Sequence, residues 1–277
     1  MIKRKKNLFL RLHQNTRFQK FESVLLPLLL GVLLLILWQT QALHAILHTD
    51  TFTLPLPTRI VSIIGDNLPV IWKNIQATLL VAVAGLAVGS LLGYLIAIVA
   101  AIFPRWGKGG LTIVAAFNAI PIVALAPVMT NWTRSVSRDA EVRSMVAKIL
   151  VVMIVSIASM SINAYRGLTE LEPFAMDLMD SYAAGNKTKF MKLRLPNSVP
   201  YIFTALRVSV PGSVISAVVS EYFAEYIIGV GRQIRENIVL AQYSTAWAYI
   251  VTACAIGVCL YLILMAAEGI LLKGRRK

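Results

Sequence analysis

Acidic side chains are scarce in this chain: 13 Asp and Glu among 277 residues, against 27 Lys and Arg, for a formal net charge of +14. Charged residues of both signs make up 14%, whereas a soluble domain carries about 25%. That leaves too little polar surface to cover a water-soluble core of this size. Two cysteines are too few for a disulfide scaffold, and 16 glycines and 11 prolines exclude collagen-like and low-complexity chains. Cys254 and Cys259 stand five apart, which prevents bridging on a straight helix, and read as small packing residues. Of the three histidines, His44 and His48 have the i, i+4 spacing that can ligate a metal, but no carboxylate accompanies them, so no metal site is expected. A phosphate cradle is missing too. Gly185-Asn186-Lys187-Thr188 places its lysine one position late and has no upstream glycine at the required distance, so nucleotide hydrolysis is not expected of this chain.

What the chain does have is long apolar runs: 57% of its residues are hydrophobic and its mean hydropathy is +0.71. A helix crossing the hydrocarbon core needs about 20 such residues. Six segments qualify: 24–43, 74–104, 109–133, 149–165, 195–220 (with Arg207 near its start) and 237–267. The expectation is an all-α integral membrane protein with six transmembrane helices. It forms a single transmembrane domain over 1–277, with a basic N-terminus at 1–23, the first span within 24–47 and a five-span core over 72–272. The basic cluster Lys3, Arg4, Lys5 and Lys6 also suits a signal peptide, but the apolar run is too long for one and no small-x-small cleavage site follows Trp38.

Cytoplasmic loops are enriched in Lys and Arg. One set of alternate loops holds that N-terminal cluster with Arg11, Arg17, Lys20, Arg105, Lys108, Arg166, Lys187, Lys189, Lys192, Arg194 and the C-terminal Lys273, Arg275, Arg276 and Lys277. The other holds only Arg59, Lys73, Arg134, Arg138, Arg143, Lys148, Arg232 and Arg235. Both termini are therefore expected in the cytoplasm. The surplus of positive charge is accounted for by topology and anionic lipid headgroups rather than by nucleic acid.

One cytoplasmic loop, 166–196, is long and mixed in charge. Phe174, Leu178, Met179 and Tyr182 fall at helical spacing, Asp177 and Asp180 precede the basic run 187–194, and Gly185-Asn186 stands as a stop between two short helices. A surface helix with an apolar stripe and no soluble domain of its own fits the docking of an amphipathic helix into a groove.

This loop resembles that of the permease subunits of type I binding-protein-dependent ABC importers, in the branch serving nitrate, sulfonates, taurine and vitamin precursors. The family's loop motif is an acidic residue and two small ones, then a glycine, ending in Ile-x-Leu-Pro. Aligned on Leu195-Pro196, the acidic place is Asp177, the small places hold Leu178 and Met179, and the glycine place holds Ala183, with Gly185 two residues later. The first half is thus degenerate and the second, Leu193-Arg194-Leu195-Pro196, is good; Ser181-Tyr182 and Pro200-Tyr201 also suit the branch. Leu54-Pro55-Leu56-Pro57, the run from Ile120-Pro121 to Ala126-Pro127, Asn163 to Leu168, and Trp247-Ala248-Tyr249 resemble further family segments, so the likeness covers about residues 50–272. It departs after Trp132, where the family usually has Phe-Gly and this chain has Thr133-Arg134 and a charged insertion to Lys148.

The resemblance implies the type I ABC importer transmembrane fold in the bacterial cytoplasmic (inner) membrane. Asp177, Asp180, Ala183, Gly185, Leu195 and Pro196 would contact a cytoplasmic ATPase. It also implies a second permease copy, most simply as a homodimer, two ATPase subunits and an extracytoplasmic substrate-binding protein. ATP and Mg would be held by the ATPase, with no cofactor in this chain. A pyrimidine precursor of thiamine, or riboflavin, is the first expectation for the solute; sulfonate, taurine or nitrate is the second. The rival reading is a non-ABC channel, or a scaffold whose loop binds another partner.

Within the spans, Gly85, Gly89 and Gly93 form a small-residue stripe that permits close helix approach. Pro121 and Pro127 interrupt the third span, as broken helices along transport paths do, and Asn118, Asn131 and Asn163 are polar groups in or near spans. Glu221 and Glu225 share a helix face, either lining the outer end of the path or standing as solvated rim residues beyond a span that ends at Ser220. Arg207 suits inner headgroups or an anionic solute. No catalytic arrangement of Ser, His and Asp or of paired carboxylates lies at membrane depth.

Overall fold

The computed structural model describes residues 16–224 and 228–273, which form two compact units with their boundary at Asp66. Within the first, α1 (Thr16–Gln39), α2 (Ala42–Leu47) and α3 (Pro57–Asp66) follow one another. From Leu25 onward α1 is a sleeve of exposed aliphatics, with Leu26, Leu28 and Leu30 each more than half exposed; this apolar stretch, Leu25–Gln39, is shorter than the 18 residues or more of the helices long enough to cross a membrane. Helix α1 starts eight residues before the expected span and stops at Gln39 instead of running to Leu43, because Gln41 takes a left-handed conformation with φ 63°. The Gln39 amide then bonds the backbone and hydroxyl of Thr58. His44 is buried and donates from Nε2 to the Leu54 carbonyl at 2.6 Å, so it ties a turn together. Asp50 accepts the Thr53 amide at 2.9 Å, which lowers its carboxyl pKa below the usual value.

The second unit comprises α4 (Leu68–Ile102), α5 (Pro104–Ala116), α6 (Ile122–Trp132), α7 (Ala140–Thr169), α8 (Ala175–Ser181), α9 (Asn186–Lys189), α10 (Leu195–Tyr222), α11 (Val230–Val239) and α12 (Tyr243–Leu271). Four of its helical stretches are long and apolar enough to cross a membrane: α4, α7, the run 186–222 that ends in α10, and α12. At 35 residues α4 is about 52 Å long, well beyond the hydrocarbon thickness.

The core forms where α4, α7 and α10 meet. Ala97, Ala101, Met160, Ala164, Leu168 and Ala205 are buried together, and Leu125, Ala126, Met129, Ala147 and Val151 make a second cluster between α6 and α7. The glycine stripe faces α7 as its spacing predicts. A methyl group at Gly85 would stand 2.5 Å from Val152 Cβ, one at Gly89 2.5 Å from the Met153 carbonyl, and one at Gly93 2.6 Å from the Ile157 carbonyl. Without a driving force from water between helices, this close backbone approach is what holds such a pair together.

The third, fourth and sixth spans also differ from their sequence outlines. The third is a pair of helices, 104–119 and 122–135, bent by 99°. The break falls at Ile120, which is extended (ψ 121°) as the residue before a proline prefers. Pro127, by contrast, lies inside an unbroken α6, so only Pro121 interrupts the chain. The fourth begins at Ala140 rather than 149, with Asp139 capping it through the Glu141 amide at 2.9 Å, so the charged segment before it is partly the helix's own first turns. The sixth begins at Tyr243 instead of 237: α11 ends at Val239, and Ala241 (φ 56°) reverses the chain before α12. Cys254 and Cys259 are exposed on α12 rather than packed.

Candidate coupling loop and transport path

The loop after α7 is fastened at both ends. Asn197, in the first turn of α10, donates from Nδ2 to the carbonyls of Gly167 (2.7 Å) and Glu170 (3.0 Å), which ties the departing chain to the returning one. Ser198 meets the Tyr94 hydroxyl at 2.9 Å, and Arg194 donates to the Ala101 carbonyl at 3.3 Å. Phe190 and Leu195 pack against the buried cluster of Ala97, Met160 and Leu168. A π-helical turn at Phe190–Arg194 joins α9 to α10 without interrupting the helix, and Pro196 sits in the first turn of α10, where its missing N–H costs nothing.

Between these anchors α8 presents an apolar edge to the outside. Phe174 (81% exposed), Leu178 (59%) and Tyr182 (78%) follow at four-residue intervals, while Met176 and Met179 are half-buried on the opposite side. Asp177 is exposed in the first turn of α8, and Asp180 pairs with Lys189 across the turn. The helix stop, however, is not Gly185. That glycine has an ordinary extended conformation (φ −67°, ψ 161°) and open space around its α-carbon. Ala183, at the family's glycine place, takes the left-handed conformation with φ 50°.

At the opposite end of the helices Glu221 is fully buried, so it is not a rim residue. One carboxylate oxygen accepts the Thr78 hydroxyl and the Gly231 amide, both at 2.9 Å. Thr78 Oγ1 in turn accepts the Val230 amide, Asn74 Oδ1 accepts the Gly229 amide at 2.9 Å, and Lys148 donates to the Ile228 carbonyl at 3.2 Å. Side chains of α4, α7 and α10 thus hold the backbone of 228–231. Gly229 has φ 124° and its α-carbon faces the Glu221 carboxyl group, so no side chain fits there. Glu225 lies outside the described residues.

Sequence reasoning missed Lys148, assigned to a loop, and Asn74 and Thr78, ordinary helix residues by pattern. The available signal was charge: Lys148 and Glu221 each border a long apolar run. It also missed the partner of Arg207, which is Glu268: Nε donates to Oε2 at 2.8 Å and Nη2 to Oε1 at 2.5 Å. Asn118 and Pro121 are exposed at the break of the third span, and Pro127 is exposed on α6. Asn163 bonds back to the Ser159 carbonyl of its own helix at 2.9 Å. Among the described residues no group of three or more His, Cys, Asp or Glu is placed to hold a metal ion.

Long apolar helices and a bent half-span pair define an integral membrane protein, with a loop helix that exposes an apolar edge. Residues 89–277 match the family of binding-protein-dependent transport system inner membrane components, and the chain belongs to that family. It is thus a type I ABC importer permease, a transport component rather than an enzyme, and not an unrelated channel or scaffold. It is 26% identical over 252 residues to the formylaminopyrimidine transport permease protein ThiX of Halalkalibacterium halodurans, covering 91% of this chain and 96% of that one. It is also 26% identical over 239 residues to a probable ABC transporter permease protein of Haemophilus influenzae, covering 86% and 93%. The fold is similar to that of the inward-facing methionine ABC transporter MetNI, with a TM-score of 0.50 at 16% identity over 72% of this chain and 94% of that one.

Proposed function

We propose that this permease couples to a cytoplasmic ATPase through α8 and carries a pyrimidine precursor of thiamine. The observation that carries the coupling reading is the exposed Phe174, Leu178 and Tyr182 edge on a helix fixed at both ends. A docked helix transmits ATPase closure to α7 and α10 only if its attachments do not yield. The Asn197 and Arg194 bonds, with the packing of Phe190 and Leu195, supply that stiffness. Two copies of the chain, most simply a homodimer, pair around one path, with two ATPases carrying ATP and Mg on the inside and a substrate-binding protein outside. Alternating access follows, the path opening outward as the ATPases close. Both termini lie in the cytoplasm of a bacterial cell whose inner membrane holds the complex.

Support for the solute comes from the ThiX relative, whose name states formylaminopyrimidine transport. Supplied with the cognate binding protein and ATPase, the complex takes up formylaminopyrimidine in the expected outcome, while taurine and nitrate are not carried. Uptake of taurine or nitrate instead overturns the solute assignment but leaves the coupling untouched. For coupling, Leu178→Asp with Tyr182→Asp removes two apolar anchors of an interface, each worth about 2 kcal/mol where it is a hot spot. The expected result is loss of ATPase co-purification and at least a roughly tenfold fall in uptake, with the permease still in the membrane. Unchanged uptake and an unchanged ATPase content reject α8 as the coupling element.

A further inference from the structure

The geometry points to an anionic-phospholipid headgroup site between the loop and the corner that joins α4 to α5. A cleft of about 500 Å³ opens there, lined by Ala101, Ile102 and Pro104 on one side and by Met176, Lys187, Lys189, Phe190 and Arg194 on the other. Its place in the fold sets its depth. Ile102 is the last residue of α4, Pro104 the first of α5, and 186–194 run directly into α10, so three membrane helices end around it. Trp106, 83% exposed at the same corner, is a residue type that settles at the headgroup level.

The chemistry of the lining suits a phosphodiester. Lys187 is exposed and Arg194 is held by its bond to the Ala101 carbonyl, which leaves the rest of its guanidinium to other acceptors. Lys189 is neutralised by Asp180, the acid paired at this wall. Among the described residues, the charge at this wall that no acid pairs is that of Lys187 and Arg194, enough for one phosphate. Ala101, Ile102, Pro104, Met176 and Phe190 form an apolar wall, which a glycerol backbone and the head of an acyl chain can cover and a free phosphate cannot. Basic pockets between membrane helices on the cytoplasmic side are where anionic headgroups bind. A lipid seated here bridges Met176 of α8 to the α4–α5 corner, and so bears on the stiffness of the loop. The site does not depend on whether α8 docks to an ATPase.

The test uses the full-length chain, extracted in mild detergent and exchanged with vesicles of dioleoylphosphatidylglycerol or dioleoylphosphatidylcholine, with retained lipid counted by native mass spectrometry. One phosphatidylglycerol per chain is expected to survive, with phosphatidylcholine lost. Lys187→Gln and Arg194→Gln should each weaken retention about fivefold, the worth of one cation near an anionic headgroup. Lys187→Arg should hold the lipid, and Lys192→Gln, exposed and outside the lining, should leave retention unchanged. Equal retention of phosphatidylcholine by the unaltered chain, displacement of the lipid by millimolar inorganic phosphate, or retention indifferent to the Gln variants overturns the site. The selectivity of the unaltered chain decides even if a variant fails to fold, and failure of the site leaves the coupling experiment standing.

Discussion

At Ala183 the backbone turns left-handed with a side chain that pays for it. A Cβ in that conformation crowds the following carbonyl by about 1–2 kcal/mol, a strain glycine does not feel. Ala183→Gly is therefore expected to stabilise the folded permease by about 1 kcal/mol, less the extra freedom it gives the unfolded chain. Thermal unfolding in detergent should show a small upward shift, with uptake retained. Glu221 is the opposite case, a buried acid whose partners depend on it. Glu221→Ala leaves the buried Gly231 amide without its acceptor, while the Thr78 hydroxyl falls back on the Asn74 carbonyl of its own helix at 3.1 Å. A lower stability of about 2–4 kcal/mol is expected, and Glu221→Gln, which keeps an acceptor oxygen, should cost less. Thermal stability of the two variants, measured side by side, checks the order.

Helices join here by devices that differ along their length. Helices α4 and α7 touch through glycines, with backbone against backbone. Helices α10 and α12 are joined instead by the bidentate Arg207–Glu268 pair, whose carboxylate is buried and whose guanidinium is about a third exposed. The pair takes up both formal charges that would otherwise stand alone in apolar helices, which is why the arginine needs neither headgroup nor solute as its partner. Glu268→Ala should lower thermal stability, since it leaves the arginine without its carboxylate partner in an apolar helix pair. Exchanging both residues, Arg207→Glu with Glu268→Arg, should restore most of the loss. If the exchange is as unstable as the single change, the bond is not what joins the two helices. The break at Ile120-Pro121 belongs to this scale as well: a residue before proline avoids the helical region, and two short half-helices at 99° are the result.

For the molecule as a whole, the distribution of Lys and Arg supports the proposed orientation, with both termini inside. A single reporter cysteine placed near residue 170, in a chain freed of Cys254 and Cys259, should resist a membrane-impermeant maleimide in intact cells, while one placed near residue 138 should react. The reverse pattern rejects the orientation. Membrane class, the long apolar helices of the second unit, the glycine stripe and a short helix with an apolar edge in the loop 166–196 were readable from sequence, because each is a pattern among near neighbours in the chain. Apolar runs, a four-residue spacing and a proline break need no knowledge of the rest of the fold. Tertiary structure alone decided which ions are buried and with whom. Thr78 meets Glu221 across 143 residues of sequence, and Arg207 meets Glu268 across 61. It also decided that Ala183 rather than Gly185 carries the left-handed turn. Such pairings are chosen by packing, where an acid removed from water takes whatever donor the neighbouring helix brings within reach, and no local pattern records that choice.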